Sequence, residues 1–205
     1  MNKTKKYKVI SVRNISKTAF VLRLERNGFS FIPGQCATVG IPEMATNREY
    51  SIYSGVDDNY LEFLIKEVEG GVISSKLRGL KKGDKLTVNG AYGLFNLGDL
   101  SKKYMLIATG TGIAPFHSMV KSFPKLDCKI LHGIRSSEEE YDKDDYKNYV
   151  ACLSELRVSG YLKKHKVDKN NVFYLCGNSE MINDVYDILR EQGVNGSNIH
   201  SESFF

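Results

Sequence analysis

Two short stretches of this chain hold residue types that do chemistry when brought together. The first is REYSIYSG, residues 48–55, just after an FIPGQ segment. It sets a planar cation (Arg48), an acid (Glu49), flat aromatic surfaces (Tyr50, Tyr53) and hydroxyls (Ser51, Ser54) along one β-rich segment. Taken alone, such a segment reads as a sheet strand whose aromatics pair across to a neighbour. The second is ATGTGIAPFHSMV, residues 108–120, which closes an apolar run and opens a helical pattern. Gly110 and Gly112 allow a sharp turn and a close approach of backbone to ligand. A helix beginning there presents unpaired N–H groups and a partial positive charge, which suits a pyrophosphate. Pro115 belongs in a first helical turn, where its missing N–H is no loss. Proline at 115 departs from G-x-G-x-x-G, and no Gly-Lys-Ser/Thr follows, so neither the common dinucleotide fingerprint nor a Walker loop is present. By itself, G-T-G also fits a plain strand-to-helix turn.

Other chemistries find little support. The four cysteines, at 36, 128, 152 and 176, have neither zinc-site nor iron–sulfur spacing. They read as reduced thiols of a cytoplasmic protein with no iron–sulfur centre of its own. The four histidines, at 117, 132, 165 and 200, form no metal spacing and no nucleophilic triad. The net charge of +5 comes from lysines scattered in pairs such as 81–82, 102–103 and 163–164. That pattern is no nucleic-acid stripe, so it serves solubility or the docking of an acidic protein. No apolar run is long enough to span a bilayer, and the basic MNKTKKYKVI start lacks a signal-peptide core.

The two stretches sit in halves of different rhythm. AFVLRLE, CATVGI and LEFLI alternate apolar and polar residues between turn signals, predicting short antiparallel strands closed into a small barrel. From about GDLSKKYM onward, the continuous runs YMLIATG, CKILHGI and NVFYLCG predict buried parallel strands. SEMINDVYDILREQGV predicts a helix with Met181, Ile182, Val185, Ile188 and Leu189 on one face. Its start is capped by Asn178 or Ser179 and its end by Gly193. Two domains are expected, 1–98 and 102–205.

Several motifs in this order resemble the ferredoxin–NADP reductase family: FIPGQ, REYSIYS, GGVISSKL, KKGDKLTVNGAYGLF (with Ala91 where proline is usual), GTGIAPF, LCGNSEM and the closing HSESFF. The resemblance runs nearly end to end. It implies an N-terminal antiparallel Greek-key β-barrel that binds flavin and a C-terminal α/β three-layer domain with a parallel sheet that binds NAD(P). By it, Tyr50 lies against the flavin ring, Ser51 places its hydroxyl near the reactive N5, and Arg48, with Glu49 beside it, faces the phosphates. Leu64, Ile65 and Lys66 line the ring edge, while Gly71, Val72, Ile73, Ser74 and Ser75 offer a helix start to the flavin phosphates. On the nicotinamide side, Gly110, Thr111, Gly112, Ile113, Ala114 and Pro115 cradle the pyrophosphate. Cys176, Gly177 and Met181 form the second motif, and Cys176 and Glu202 lie near the nicotinamide. Cys176 would act by positioning. Phe204 covers the flavin's other face, and Phe205 reaches toward adenine.

Family members that use NADPH place an arginine after the serine at the position of Ser154. Here it is Glu155, which repels a 2′-phosphate and accepts from a free ribose hydroxyl, although Arg135 and Arg157 are close in sequence. The expected nucleotide is therefore NADPH or NADH, with a slight lean toward NADH. The implied flavin is FAD; because the chain is short for the family, trimmed loops around the adenine are expected to hold it loosely, with FMN the alternative. The implied activity is hydride transfer from NAD(P)H to FAD, then electron delivery to a small acidic carrier, ferredoxin or flavodoxin, by a monomer or weak dimer. One alternative is a flavin reductase that releases free reduced flavin. The other is a non-catalytic electron-transfer subunit, whose relatives carry a cysteine cluster near the C-terminus.

Overall fold

Period-two alternation turns the first half into a barrel. A computed structural model describes residues 5–42, 44 and 46–204. Six strands, β1 (Lys6–Asn14), β2 (Ala19–Glu25), β3 (Cys36–Gly40), β4 (Asn47–Ser51), β5 (Tyr60–Lys66) and β6 (Lys85–Tyr92), form an antiparallel sheet in the order β4-β3-β6-β1-β2-β5. An antiparallel bridge from Ile52 to Phe63 brings the end of β4 against β5. Strands β3, β4 and β5 are thus neighbours in turn, and β6 returns beside β3, which is a Greek key. Phe20, Leu22 and Leu24 of β2, Ala37 and Val39 of β3, and Leu61, Phe63 and Ile65 of β5 fill the interior. Helix α1 (Val72–Arg78) adds Ile73 and Leu77 to the same core.

The second sheet is parallel throughout. Its strands β7 (Tyr104–Thr109), β8 (Cys128–Ile134), β9 (Tyr149–Leu153), β10 (Val172–Gly177) and β11 (Ile199–Ser203) run in the order β11-β10-β7-β8-β9. After β7 comes α2 (Ala114–Ser122), after β9 α3 (Val158–Lys164), and after β10 α4 (Ser179–Glu191). Leu162 of α3 and Val185, Ile188 and Leu189 of α4 share a core with Met105, Ile107, Leu131, Phe173 and Leu175. Leu106, Ala108 and Ile130, on the opposite face of the strands, are equally buried. Burial on both faces is why these strands read as continuous apolar runs. Helix α4 is bounded as its sequence predicts. The Asn178 side chain accepts from Met181 N–H, and Gly193 (φ +85°) ends the helix. There Val194 N–H bonds Leu189 C=O and Gly193 N–H bonds Arg190 C=O, a Schellman closure.

The chain divides into two compact units, one running to Asn96 and including Ala114–Ser122, the other made of Leu97–Ile113 and Phe123 onward. The sequence offered no sign that α2 would join the barrel. The His117 ring stacks on Tyr53 with centroids 3.7 Å apart, and its Nδ1–H donates to the Tyr53 carbonyl at 2.7 Å. Ser118 donates to the Ser54 carbonyl at 2.8 Å, Ser122 Oγ accepts from Val56 N–H at 3.0 Å, and Lys121 pairs with Asp58 at 3.1 Å. Four polar contacts from one helix face to residues 53–58 thus fix α2 on the barrel. Among the described residues, no helix is long and apolar enough to cross a membrane.

Candidate functional site

In the first unit the site is built on β4. Ser51, its last residue, pairs with Cys36 of β3 and is only 4% exposed, and its Oγ has no hydrogen-bond partner among the described residues. A buried hydroxyl left so costs about 1–3 kcal/mol, and native proteins rarely carry one without a use. Successive strand side chains alternate faces, so Arg48 and Tyr50 share one side of β4 while Glu49 and Ser51 share the other. The half-buried Tyr50 packs against the barrel core, and desolvation pushes its phenol up to about 12 against the opposing pull of Arg48. Arg48 is exposed and donates to the Asn47 carbonyl at 3.0 Å; Glu49 is exposed as well.

On β5, Leu64 is buried outside the barrel core and Lys66 is exposed, but Ile65 points into the core. At α1, Ile73 does likewise, and Ser74 Oγ accepts from Val68 N–H at 3.1 Å. Ser75 hydrogen-bonds Glu67, and Val72 is 60% exposed. Ile65 and Ile73 therefore have only backbone to offer a ligand, because their side chains lie in the core, whereas the Ser74 hydroxyl accepts from Val68 and keeps its own proton as a donor. The N-cap of α1 is Gly71, which supplies no side-chain cap.

In the second unit the site lies where the strand order reverses. From β7 the chain moves outward through β8 and β9, then returns to place β10 on the other side of β7. Ligands of open α/β sheets bind at the carboxyl ends of the two strands flanking such a reversal. The loops there are Gly110–Ile113, one 3-10 turn after β7, and Gly177 onward after β10. They touch closely. A Cβ on Gly112 would lie 2.4 Å from the Cys176 carbonyl oxygen, and one on Gly177 (φ +149°) would lie 2.1 Å from Thr109 Oγ1. Only glycine permits either approach. Met181 lies beside Gly177. Cys176 is aligned with Glu202 of β11, and Phe204 N–H donates to the Gly177 carbonyl at 2.9 Å. The β11 pairing thus carries Glu202 and Phe204 to the end of β10. Phe205 lies outside the described residues.

Cys176 is fully buried, and burial, with the nearby Glu202 carboxylate adding to it, pushes its thiol well above the usual range. A thiol held protonated is a poor nucleophile, consistent with a positioning role. Arg135 follows β8, and its backbone N–H donates to the Glu139 carboxylate at 2.9 Å. Ser154 and Glu155 are exposed in the turn after β9, which ends at Arg157 with φ +29°. Thr111 belongs to the 3-10 turn, and Ala114 and Pro115, both buried, begin α2.

One residue at this end of the sheet escapes sequence reasoning. His132 of β8 is fully buried; its Nε2–H donates to the Gly110 carbonyl at 2.8 Å and its Nδ1 accepts from Tyr149 Oη–H at 2.9 Å. Its partners lie 22 residues upstream and 17 downstream, so no local motif marks it. Burial lowers its pKa from 6.5 to about 4, with the Gly110 bond opposing. Between these values the unfolded chain binds a proton that the native one refuses. Stability is thus complete above about pH 6.5 and falls by roughly 3 kcal/mol toward pH 4. Thermal melts from pH 8 to 4 are expected to show this acid slope, shallower in His132→Gln by that amount; parallel slopes would contradict it.

Two family models match the chain: an oxidoreductase FAD-binding domain over residues 4–97 and an oxidoreductase NAD-binding domain over residues 106–166. The chain belongs to the ferredoxin–NADP reductase family. It is 27% identical to the toluate 1,2-dioxygenase electron transfer component of Pseudomonas putida, over 96% of this chain and 66% of that protein. It is 26% identical to the anthranilate 1,2-dioxygenase electron transfer component of Acinetobacter baylyi, over the same shares. The chain spans just under two thirds of the length of these first curated relatives. The fold is that of a ferredoxin–NADP+ reductase from Neisseria gonorrhoeae, solved with FAD and NADP (TM-score 0.86, 22% identity, 98% of each chain). It is also that of a cytochrome P450 reductase from Amycolatopsis (TM-score 0.86, 23% identity, 98% of this chain and 70% of that one).

This family member's residues fit both cofactors. The unpartnered Ser51 hydroxyl suits a flavin ring nitrogen, and the glycine-lined contact of the β7 and β10 loops suits a dinucleotide.

Proposed function

We propose that this protein is an NAD(P)H-dependent FAD oxidoreductase that hands electrons singly to a small acidic carrier such as ferredoxin or flavodoxin. The observation that carries the reading is the buried, unpartnered Ser51 hydroxyl at the end of a strand of the FAD-binding domain. Bound flavin would supply the conversion between two-electron and one-electron chemistry. The chain's own residues bind and orient. Ser51 donates a hydrogen bond to the ring nitrogen that gains the hydride, and Tyr50 offers an aromatic face to a ring lying across the end of β4. Arg48 and the Gly71 helix start take the phosphates of the flavin. Residues 1–98 hold the flavin, and residues 102–205 hold the nicotinamide nucleotide, with Gly110 to Pro115 at its pyrophosphate. Cys176 and Glu202, neighbours across β10 and β11, position the nicotinamide ring.

Two features support NADH as a substrate. Glu155 is exposed after β9, and Glu139 places its carboxylate on the backbone at the end of β8. Either would repel a 2′-phosphate. The partner reading draws on relatives described as electron transfer components and on exposed lysine pairs at 81–82, 102–103 and 163–164. Four free cysteines fit a cytoplasmic setting, and the protein acts as a monomer or weak dimer.

The test is anaerobic. The protein is loaded with FAD, desalted and mixed in parallel with NADH and NADPH while the flavin absorbance is followed. The colour is expected to survive desalting and to bleach faster with NADH, and Glu155→Arg to shift the NADPH:NADH ratio of kcat/KM upward about tenfold. Colour that washes away, or that neither nucleotide bleaches, overturns the reading.

A further inference from the structure

The β7–β8–β9 end of the sheet carries a buried polar relay that binding residues alone do not explain. His132 of β8 stands between Gly110, just after β7, and Tyr149 at the start of β9. The Gly110 carbonyl can only accept, so the neutral imidazole carries its proton on Nε2 and Nδ1 accepts from Tyr149 Oη–H. The ring is also held sideways. Tyr141 lies 5.9 Å from it, and Tyr149 is itself stacked on Tyr146 at 5.5 Å. Tyr141 and Tyr146 are buried. Gly110 has φ +52° and no Cβ, so the residue itself does little to keep the peptide after it from turning its carbonyl outward. At the carboxyl end of a strand that is hazardous, since a carbonyl oxygen turned to a pyrophosphate opposes it while an N–H attracts it.

We propose that His132 is a positioning residue for dinucleotide binding: its Nε2–H pins the Gly110 carbonyl toward the sheet, so that backbone N–H groups of Thr111 to Ile113 face the pyrophosphate. Tyr149 Oη–H, donating to Nδ1, holds the ring in the orientation that does this. The relay costs the fold little beyond a buried histidine, and it makes the loop's polarity a property of three adjacent strands. A backbone amide that turns the wrong way would lose one attraction and gain one repulsion at the same time. The proposal rests on the reading of Gly110 to Pro115 as the pyrophosphate cradle.

The test uses the FAD-loaded full chain and ADP-ribose as probe, which carries the pyrophosphate without the nicotinamide, titrated by calorimetry. His132→Phe fills the space without the donor and is expected to weaken ADP-ribose about tenfold, with flavin retention unchanged. Tyr149→Phe removes the bond that orients the ring and is expected to weaken it by a smaller factor, about threefold. His132→Gln can donate to Gly110 and accept from Tyr149 together, and should restore binding to near the wild-type level. In turnover, KM for NADH should rise in His132→Phe while kcat changes little. Wild-type affinity in a folded His132→Phe overturns the proposal. If that variant does not fold, wild-type affinity in Tyr149→Phe does so. Failure of the wild-type chain to bind ADP-ribose is a separate result, which overturns the nucleotide reading itself.

Discussion

Replacing Ser51 with alanine is expected to slow reduction of the bound flavin by NADH about 100-fold while leaving the apoprotein as stable as the wild type, or slightly more so. The two effects have one origin. In the structure the Ser51 hydroxyl is buried and has no partner. An unmade hydrogen bond in a dry site burdens the fold by about 1–3 kcal/mol, so deleting the oxygen relieves that burden. In the loaded protein, on the proposed reading, the same oxygen would find its partner on the flavin and be worth most when charge or a proton moves there. Donors aimed at developing charge in a water-excluded site contribute far more than they would in water. The measurement is paired: stopped-flow reduction of the desalted, FAD-loaded variant, and urea denaturation of the apoprotein. A reduction rate within threefold of wild type would sink the assignment of Ser51. A large loss of apoprotein stability would show that the hydroxyl serves the fold instead. Serine-to-threonine replacement is a useful companion, since it keeps the donor while adding a methyl group beside Ile52 and Cys36.

Gly112→Ala is expected to cut kcat/KM for NADH at least 100-fold, on the same scale as misplacing a substrate-positioning element by about 1 Å, with FAD retention unaffected. The added carbon would sit 2.4 Å from the Cys176 carbonyl oxygen and 2.8 Å from its carbon. Both are backbone atoms of the central strand β10, so neither can swing aside as a long side chain would. The 3-10 turn of residues 110–113 must move instead, and with it the loop that receives the pyrophosphate. Gly112 is also where the β7 loop meets the Cys176–Gly177 end of β10, so one methyl group would disturb both halves of the proposed nucleotide site. Steady-state kinetics with NADH and calorimetry with ADP-ribose separate binding from chemistry here. Unchanged affinity for ADP-ribose in a flavin-loaded variant would show that the loop tolerates the displacement and does not hold the nucleotide tightly.

Much of the architecture was legible because it rests on local rules. Phe20, Leu22 and Leu24 had to share a face once AFVLRLE was a strand, and they do. The Asn178 cap and the Gly193 stop bound α4 because those residues satisfy helix ends through bonds to nearby backbone. The motifs of the flavin and nicotinamide sites were readable for the same reason, each being a few consecutive residues with a tight backbone requirement. What escaped was long-range. Ile65 lies in a motif segment, yet its side chain faces the barrel core, since strand pleat and register assign the face. α2 follows the dinucleotide loop in sequence, but His117, Ser118, Lys121 and Ser122 bind it to barrel residues some sixty positions earlier. His132 looked like any histidine in an apolar strand until β7 and β9 supplied a carbonyl and a hydroxyl on either side of it.

The sequence by itself determined the strands, the capped helix, the two glycine turns and the motif residues proposed to touch cofactors. All of these follow from side-chain periodicity and from steric limits on a single residue. Only the tertiary structure decided which of those groups were left with unmet chemistry. Whether Ser51 has a partner, whether Gly112 has room and whether His132 carries its proton on Nε2 depend on atoms brought close by sheet pairing between distant segments. Distances between such segments are not encoded in any window of the chain, because they are set by strand pairing within each sheet.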